Sequence, residues 1–423
     1  MVFLRMLNNP RRSMQRLGFL KCLIWQASFA TANSPRKLGN RLVNTVSHHV
    51  SVSLTPDLQN YIRYALTESK YRNLRSTTLK EINEERQNKP RTEIEIQDHH
   101  LSNPNLPSRR GKLVGDDWNI YPQLAVDLNL LRKGSYSIST KGHLFLSLVP
   151  DEERRAFDVS VVDSSDIINP FFLSIAQKLL LLFLLIDADG DLLRALYKIL
   201  LTLADSFTAA DAGNYLPDIY RMIAKESRDR VRSGDDSVRI QRLLDTAGKI
   251  EAVKRHPNPG GKNAREHGIT VRLEPFVDIG LLSKPDPFAY SYQITNATKN
   301  LFEPLVDSDS VESFLNHRFF DVANKSMNLN GEHKITAYTC LPVLQKAYNI
   351  LKSPVGYSPI LELCLLAGIY SLVEVGNYFE ISESIEMLKS LQKDKPRLVT
   401  FNVDRWGMLN FVKFSDDLTK SGV

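Results

Sequence analysis

The chain has 423 residues, 43% hydrophobic and 24% charged, which is enough apolar sequence for several cores. Its three cysteines, Cys22, Cys340 and Cys364, lie far apart and without metal-ligand spacing, which argues against a disulfide framework or a zinc module and fits a reducing compartment. The net charge of +6 is unevenly placed: residues 1–56 hold eight bases and no acid, so the other 46 bases face 48 acids and the body stands at −2. Any nucleic-acid argument therefore rests on local patches.

Residues 1–50 read as a basic N-terminal arm or presequence. Their short apolar clusters, Leu17-Gly18-Phe19-Leu20 and Leu23-Ile24-Trp25, are broken by Lys21 and Gln26. Leu58, Ile62 and Leu66 predict a helix within 54–80. The polar stretch after it ends in a basic segment holding Arg109, Arg110 and Lys112, suited to phosphate or minor-groove contact.

The stretch from Tyr121 to Leu146 carries the most information. Leu124, Leu128 and Leu131 recur at i, i+4 and i+7 and predict a short helix, Gly134 ends it, and Ser135–Ser139 alternates as a strand. Thr140-Lys141-Gly142 then reads as a turn before apolar Leu144-Phe145-Leu146. A copy returns later: residues 126–133 align without gaps on 277–284, an offset of 151, with five of eight positions identical. Tyr136-Ser137-Ile138-Ser139 matches Tyr292-Gln293-Ile294-Thr295 after five extra residues in the second copy. In that copy Ala297-Thr298 replaces Lys141-Gly142, and Pro275 requires the helix to start there or kink.

These residues, ordered as D-L-x-L-L-x-K, then Y-x-I-[ST], then G-x-L-F, resemble the recognition helix and wing of winged helix-turn-helix proteins. The resemblance implies a helix that enters a DNA groove with a strand pair flanking it against phosphates. Asp127 and Asp278, on the repeated helix, oppose that placement unless paired.

Leu179–Ile186 is apolar but too short to span a bilayer, and predicts a buried helix closed by Asp187, Asp189 and Asp191. Those aspartates lack the glycine and glutamate positions of a calcium loop. With Leu192–Leu203 the region reads as a helical hairpin. From Arg228 to Arg272 eleven bases face six acids, including Arg239, Arg242, Lys249, Arg255, Lys262, Arg265 and Arg272. Farther on, Leu341, Leu344, Tyr348 and Leu351 predict one helix and Leu361, Leu365 and Ile369 a second, joined by a turn at Pro354–Gly356. A strand at Phe379–Ser382 and a hairpin of 398–403 with 411–414 complete a possible third unit.

The expected fold is mainly α with small β-hairpin wings: two or three tandem winged-helix-like units joined by helical segments. The boundaries fall at 1–50, 51–155 for unit one, 156–230 for a connector, 231–307 for unit two and 308–423 for the third. No motif for a nucleophile, metal or cofactor site is present. The reading is a cytoplasmic, non-enzymatic double-stranded DNA-binding protein, or an organelle-matrix one if the first segment is a transit peptide. Contacts come from Arg109, Arg110, Lys112, Arg132, Lys141, Arg255, Lys262, Arg265 and Arg272. The alternatives are a scaffold whose winged helices bind protein and, behind it, a nuclease with dispersed ligands; no membrane is expected as a partner.

Overall fold

The structure, a computed structural model, describes residues 5–7, 17–29, 34–39, 41–42, 45, 120–157, 171–203, 205–228, 234–255, 259–285, 291–403 and 409–415. The helix expected over 54–80 falls outside the described residues. The fold is mainly helical with sheets of two or three strands.

The segment read as a basic arm contributes instead a buried helix, α1 (Phe19–Ser28). Its Phe19, Leu20, Leu23 and Ile24 are buried against α2 (Ile120–Asp127) and α3 (Thr140–Ser147). Lys21 is buried too, and its ammonium pairs with Glu153 at 2.6 Å on α4 (Asp151–Ala156). An apolar cluster interrupted by one lysine is thus core sequence with a buried ion pair.

The longest helix, α5 (Ile175–Leu200), is the axis of the molecule. Ser174 caps it through a reciprocal bond with Gln177, a box that contributes about 1 kcal/mol. The helix continues unbroken through Asp187–Asp191, where a hairpin was expected: Asp187 and Asp189 meet cations from elsewhere in the chain and Asp191 accepts from the Arg5 backbone N–H. Among the described residues no helix is long and apolar enough to cross a membrane.

After α5 come β1 (Ser206–Thr208), α6 (Ala209–Asn214), α7 (Leu216–Arg228), α8 (Gly234–Arg255), α9 (Pro259–Ile279), β2 (Ser291–Gln293) and α10 (Asn296–Asp307). Strand β1 runs directly into α6, Thr208 capping the helix with Asp211. Antiparallel β1 and β2 pair through Ser206 and Gln293, and Gln293 also bridges Ser283 on its other side. The spatial order is therefore first, third, second in the chain. The boundary expected at 230/231 falls between partners of this one ladder. Helix α9 passes through Pro275 instead of beginning there.

Helices α11 (Val311–His317) and α12 (Phe319–Met327) and the short β3 (Glu332–His333) lead to the last unit. It consists of α13 (Ala337–Leu351), β4 (Ser358–Pro359), α14 (Ile360–Tyr370), β5 (Asn377–Tyr378), α15 (Ile381–Asp394), β6 (Val399–Val403) and β7 (Leu409–Phe414). The two helices and the terminal hairpin lie where the apolar periodicity placed them, but β4 separates the helices. The strand expected at Phe379–Ser382 is replaced by β5 and the first residues of α15. The antiparallel sheet has the order β4-β7-β6, again first, third, second. As before, the first strand feeds straight into a helix.

The two aligned segments share the turn at the helix end, although the bridge that follows joins Leu131 with Ile138 in the first and Ser283 with Gln293 in the second. Leu130 and Leu131 N–H both donate to Ala125 O, as Leu281 and Leu282 donate to Phe276 O. Asn129 and Gly280 occupy the same left-handed position, at φ 56° and 91°, beyond the helix end. Arg132 N–H donates to Ser137 O and Ser283 N–H to Gln293 O. Ser139 and Thr295 then each cap a helix, α3 and α10. Thr140-Lys141-Gly142, expected as a turn, is consequently the first turn of a helix that continues through 144–146.

The replacement of Gly142 by Thr298 has a local cause. A Cβ on Gly142 would run into Leu130 O, whereas in the second copy the Thr298 hydroxyl donates to the equivalent Leu281 O. Gly142→Ala is expected to cost about 1–3 kcal/mol in urea unfolding, against a near-neutral or mildly stabilising Gly248→Ala at an exposed helical site with open space around it. Equal midpoints for Gly142→Ala and the parent would show the turn to be looser than drawn.

Candidate nucleic-acid interface

Of the basic residues expected to contact nucleic acid, Arg109, Arg110 and Lys112 lie outside the described residues. Arg255 sits at the end of α8, and Lys262 and Arg265 in the first turns of α9; their side chains lie outside the description. Three side chains remain, and they have different fates.

Arg272 is buried, and its Nε donates to Asp189 at 2.8 Å while Nη1 donates to Gly268 O. Lys141 is mostly covered and donates to Asp187 at 2.8 Å. Burial pulls the Lys141 ammonium below its ordinary range. Both are corrections to the sequence reading: a guanidinium or ammonium enclosed with a carboxylate is withheld from phosphate. Arg132 alone is exposed, in the tight turn after α2.

These pairs belong to one charged cluster in the middle of α5. Asp187 and Asp191, one turn apart, share Arg5: its Nη1 pairs with Asp187, and its backbone N–H donates to Asp191 at 2.8 Å. Asp191 N–H donates to Arg5 O and Asp187 O accepts from the Arg5 side chain, the donor and acceptor that an undisturbed helix joins to each other. Asp189, on the opposite side, accepts from Leu7 N–H and Arg272. Burial raises the Asp189 carboxyl, with Arg272 opposing.

The repeated helices are mostly covered as well. On α2, Tyr121, Leu124, Ala125 and Val126 are buried; on α9 so is every position from Ile269 to Phe276. Asp278 accepts from Leu17 N–H at 2.9 Å, and Asp127 from Gln123 at 2.8 Å, its carboxyl raised by burial. The two aspartates that argued against groove insertion are packing residues.

Helix α15 has an open side. Ile381, Ser384 and Leu388 are buried, while Glu386, Lys389, Ser390 and Lys393 are exposed, followed by exposed Lys395 and Arg397 before the hairpin β6–β7. Lys389 pairs with Glu386 at 2.6 Å, a surface contact worth under about 1 kcal/mol that a phosphate can displace. The sequence reading passed over these bases because the region is poor in arginine and locally mixed in sign. Their helical spacing, Lys389 to Lys393, was the available signal.

The start of α15 is fixed by Glu380. Its carboxylate accepts Phe320 and Asp321 N–H at the start of α12, at 3.1 and 2.8 Å, while its own N–H donates to Glu383. His333 faces Glu383 at 3.1 Å, and Tyr378 and Lys325 both bond Asp321. No group of three metal-ligating side chains occurs among the described residues. Burial pushes the Glu380 carboxyl up to about 7, with Glu383 and Asp321 adding and the two N–H groups opposing. No family model, curated protein or solved structure matches the chain.

Two outcomes follow from these pairs. Asp189→Ala strands the Arg272 guanidinium and is expected to cost about 3–5 kcal/mol by denaturant unfolding, while Asp189→Leu with Arg272→Met recovers most of it. A double variant no better than the single one would refute the pairing. For Glu380, the folded carboxyl titrates above its ordinary 4.5, so the folded state keeps a proton that the unfolded chain releases. That stabilisation is full below about 4.5 and fades as pH rises through about 7. Glu380→Gln should flatten the stability–pH curve over that interval, and parallel curves for parent and variant would sink the assignment.

Proposed function

We propose that the chain is a non-enzymatic nucleic-acid-binding protein built on tandem winged-helix-like units, with double-stranded DNA as its partner. The observation that carries this reading is the C-terminal unit. Its order of helix, strand, helix, the two-residue β5, helix and hairpin, with the first strand joined to the hairpin's last, resembles a winged helix. In such a unit one helix meets the groove and the hairpin flanks it. Here α15 holds that place, with Lys389 and Lys393 on its open side and Lys395 and Arg397 leading into β6. The second ladder with the same strand order, β1–β2–Ser283, supports a tandem arrangement.

A second reading, a scaffold that binds protein through the C-terminal unit, has its own support. Glu383 and Glu386 lie near the start of α15, where a duplex would repel them. Tyr338 and Val355 are 77% and 70% exposed on the same unit.

Anisotropy of a labelled random duplex titrated with the full chain, across a salt series, separates the two. The DNA reading expects roughly micromolar binding at low salt that weakens steeply as salt rises. It also expects that loss of four charges, by Lys389→Gln, Lys393→Gln, Lys395→Gln and Arg397→Gln, weakens binding at least tenfold, with thermal stability kept. An absence of duplex binding at low salt overturns it and leaves the scaffold.

A further inference from the structure

Helices α7 and α8 form an antiparallel pair inserted between α6 and α9, and one stripe of α8 is not used by the fold. Arg239, Arg242, Thr246 and Lys249 recur at i, i+3, i+7 and i+10, a single line along the helix. Arg242, Thr246 and Lys249 are exposed and Arg239 partly so. Exposed Asp245, one turn from both Arg242 and Lys249, accepts instead from Gln241 at 2.9 Å, and none of the three bases forms an ion pair with a described carboxylate. The contrast is Arg221 on α7, which is held by Glu251 of α8 and by Asp218.

The stripe is also held rigidly. Ile240, Leu243 and Ala247 on α8 are buried, as are Ile219, Ile223 and Ala224 on α7. The charged line is therefore presented by a packed scaffold, so little side-chain order beyond the bases themselves must be bought on binding. Its ten-residue length spans about 15 Å, the axial rise of roughly four phosphates along one strand. An anionic bilayer is the poorer fit. An amphipathic helix binds lipid by sinking its apolar side into the interface, and the apolar side of α8 is already spent inside the protein.

We infer that the α8 stripe is a second nucleic-acid contact, one that holds the phosphate backbone of a duplex through Arg239, Arg242 and Lys249 while α15 meets the groove. This rests on the DNA-binding reading and adds to it a surface outside both strand ladders. The contact is with backbone alone, so it contributes affinity and salt dependence without sequence preference.

The test is the salt dependence of duplex binding by the full chain and by the Arg239→Gln, Arg242→Gln, Lys249→Gln variant. The expected result is a slope of log affinity against log salt shallower by about 2–3 for the variant, close to one unit per lost phosphate contact. The preference between two duplex sequences should not change. Unaltered slope and affinity in the variant, with the parent still binding, overturn this inference and leave the α15 reading standing. No binding by the parent overturns both. Phosphatidylserine-containing vesicles serve as a parallel probe: parent binding to vesicles that the substitutions abolish, with duplex affinity unaltered, assigns the stripe to a membrane surface and overturns it too.

Discussion

Three carboxylates in the middle of one helix hold the molecule together. Asp187, Asp189 and Asp191 stand two residues apart on α5, so the outer two point to one side and Asp189 to the other. The cations that answer them come from the first residues of the chain, from α3 and from α9: Arg5, Lys141 and Arg272. The close approach of α11 adds a fourth direction, since Gly190 lies against Val311 with no room for a Cβ. Each charge would be costly alone in this interior and is tolerable only with its partner. Docking of the chain's first residues, α3 and α9 on α5 is thereby made mutually dependent, since the departure of any one separates a charged pair.

That dependence explains which parts of the fold were legible. Local apolar spacing carried well where it placed α13 and α14; in the first aligned segment it overran, since the helix expected through Leu131 ends at Asp127 before left-handed Asn129, and Ser139, expected to close a strand, caps α3. The aligned pair of turns could be found by comparing the chain with itself. Choices decided by distant partners were not legible. Nothing near Arg272 reveals that it meets Asp189, 83 positions away, or that Lys141 meets Asp187. Leu144-Phe145-Leu146 fits a strand or a helix equally well, and Ser139's cap on Gly142 decides for the helix. The basic composition of 1–50 suggested an exposed arm, yet α1 is core, because its one internal lysine is neutralised by Glu153.

Charge therefore has to be counted by location. The body outside residues 1–56 is close to neutral, and several of its bases are consumed by the interior. What remains available is arranged in short lines on particular helices. A sequence window weights Arg272 and Arg242 equally, although one is enclosed and the other faces solvent. Periodicity separates them: Arg272 lies in a stretch whose neighbours on every side are apolar or buried, whereas Arg242 repeats with Arg239 and Lys249 opposite a buried apolar stripe.

The aligned lysines of the two turns make the same point. Lys133 is exposed, while Lys284 donates to buried Glu274 at 2.9 Å, with the Tyr292 hydroxyl on the same oxygen at 2.6 Å. The position equivalent to Glu274 in the first copy is Gln123, which is exposed. A neutral amide there accompanies an exposed lysine; a buried carboxylate, on a helix packed against α5 and α6, accompanies an enclosed one. Once buried, the turn of the second copy can position its neighbours but cannot itself meet a ligand. Helices α15 and α8, by contrast, keep an open side. The two aligned turns thus share one hydrogen-bond pattern and differ in burial through single residues.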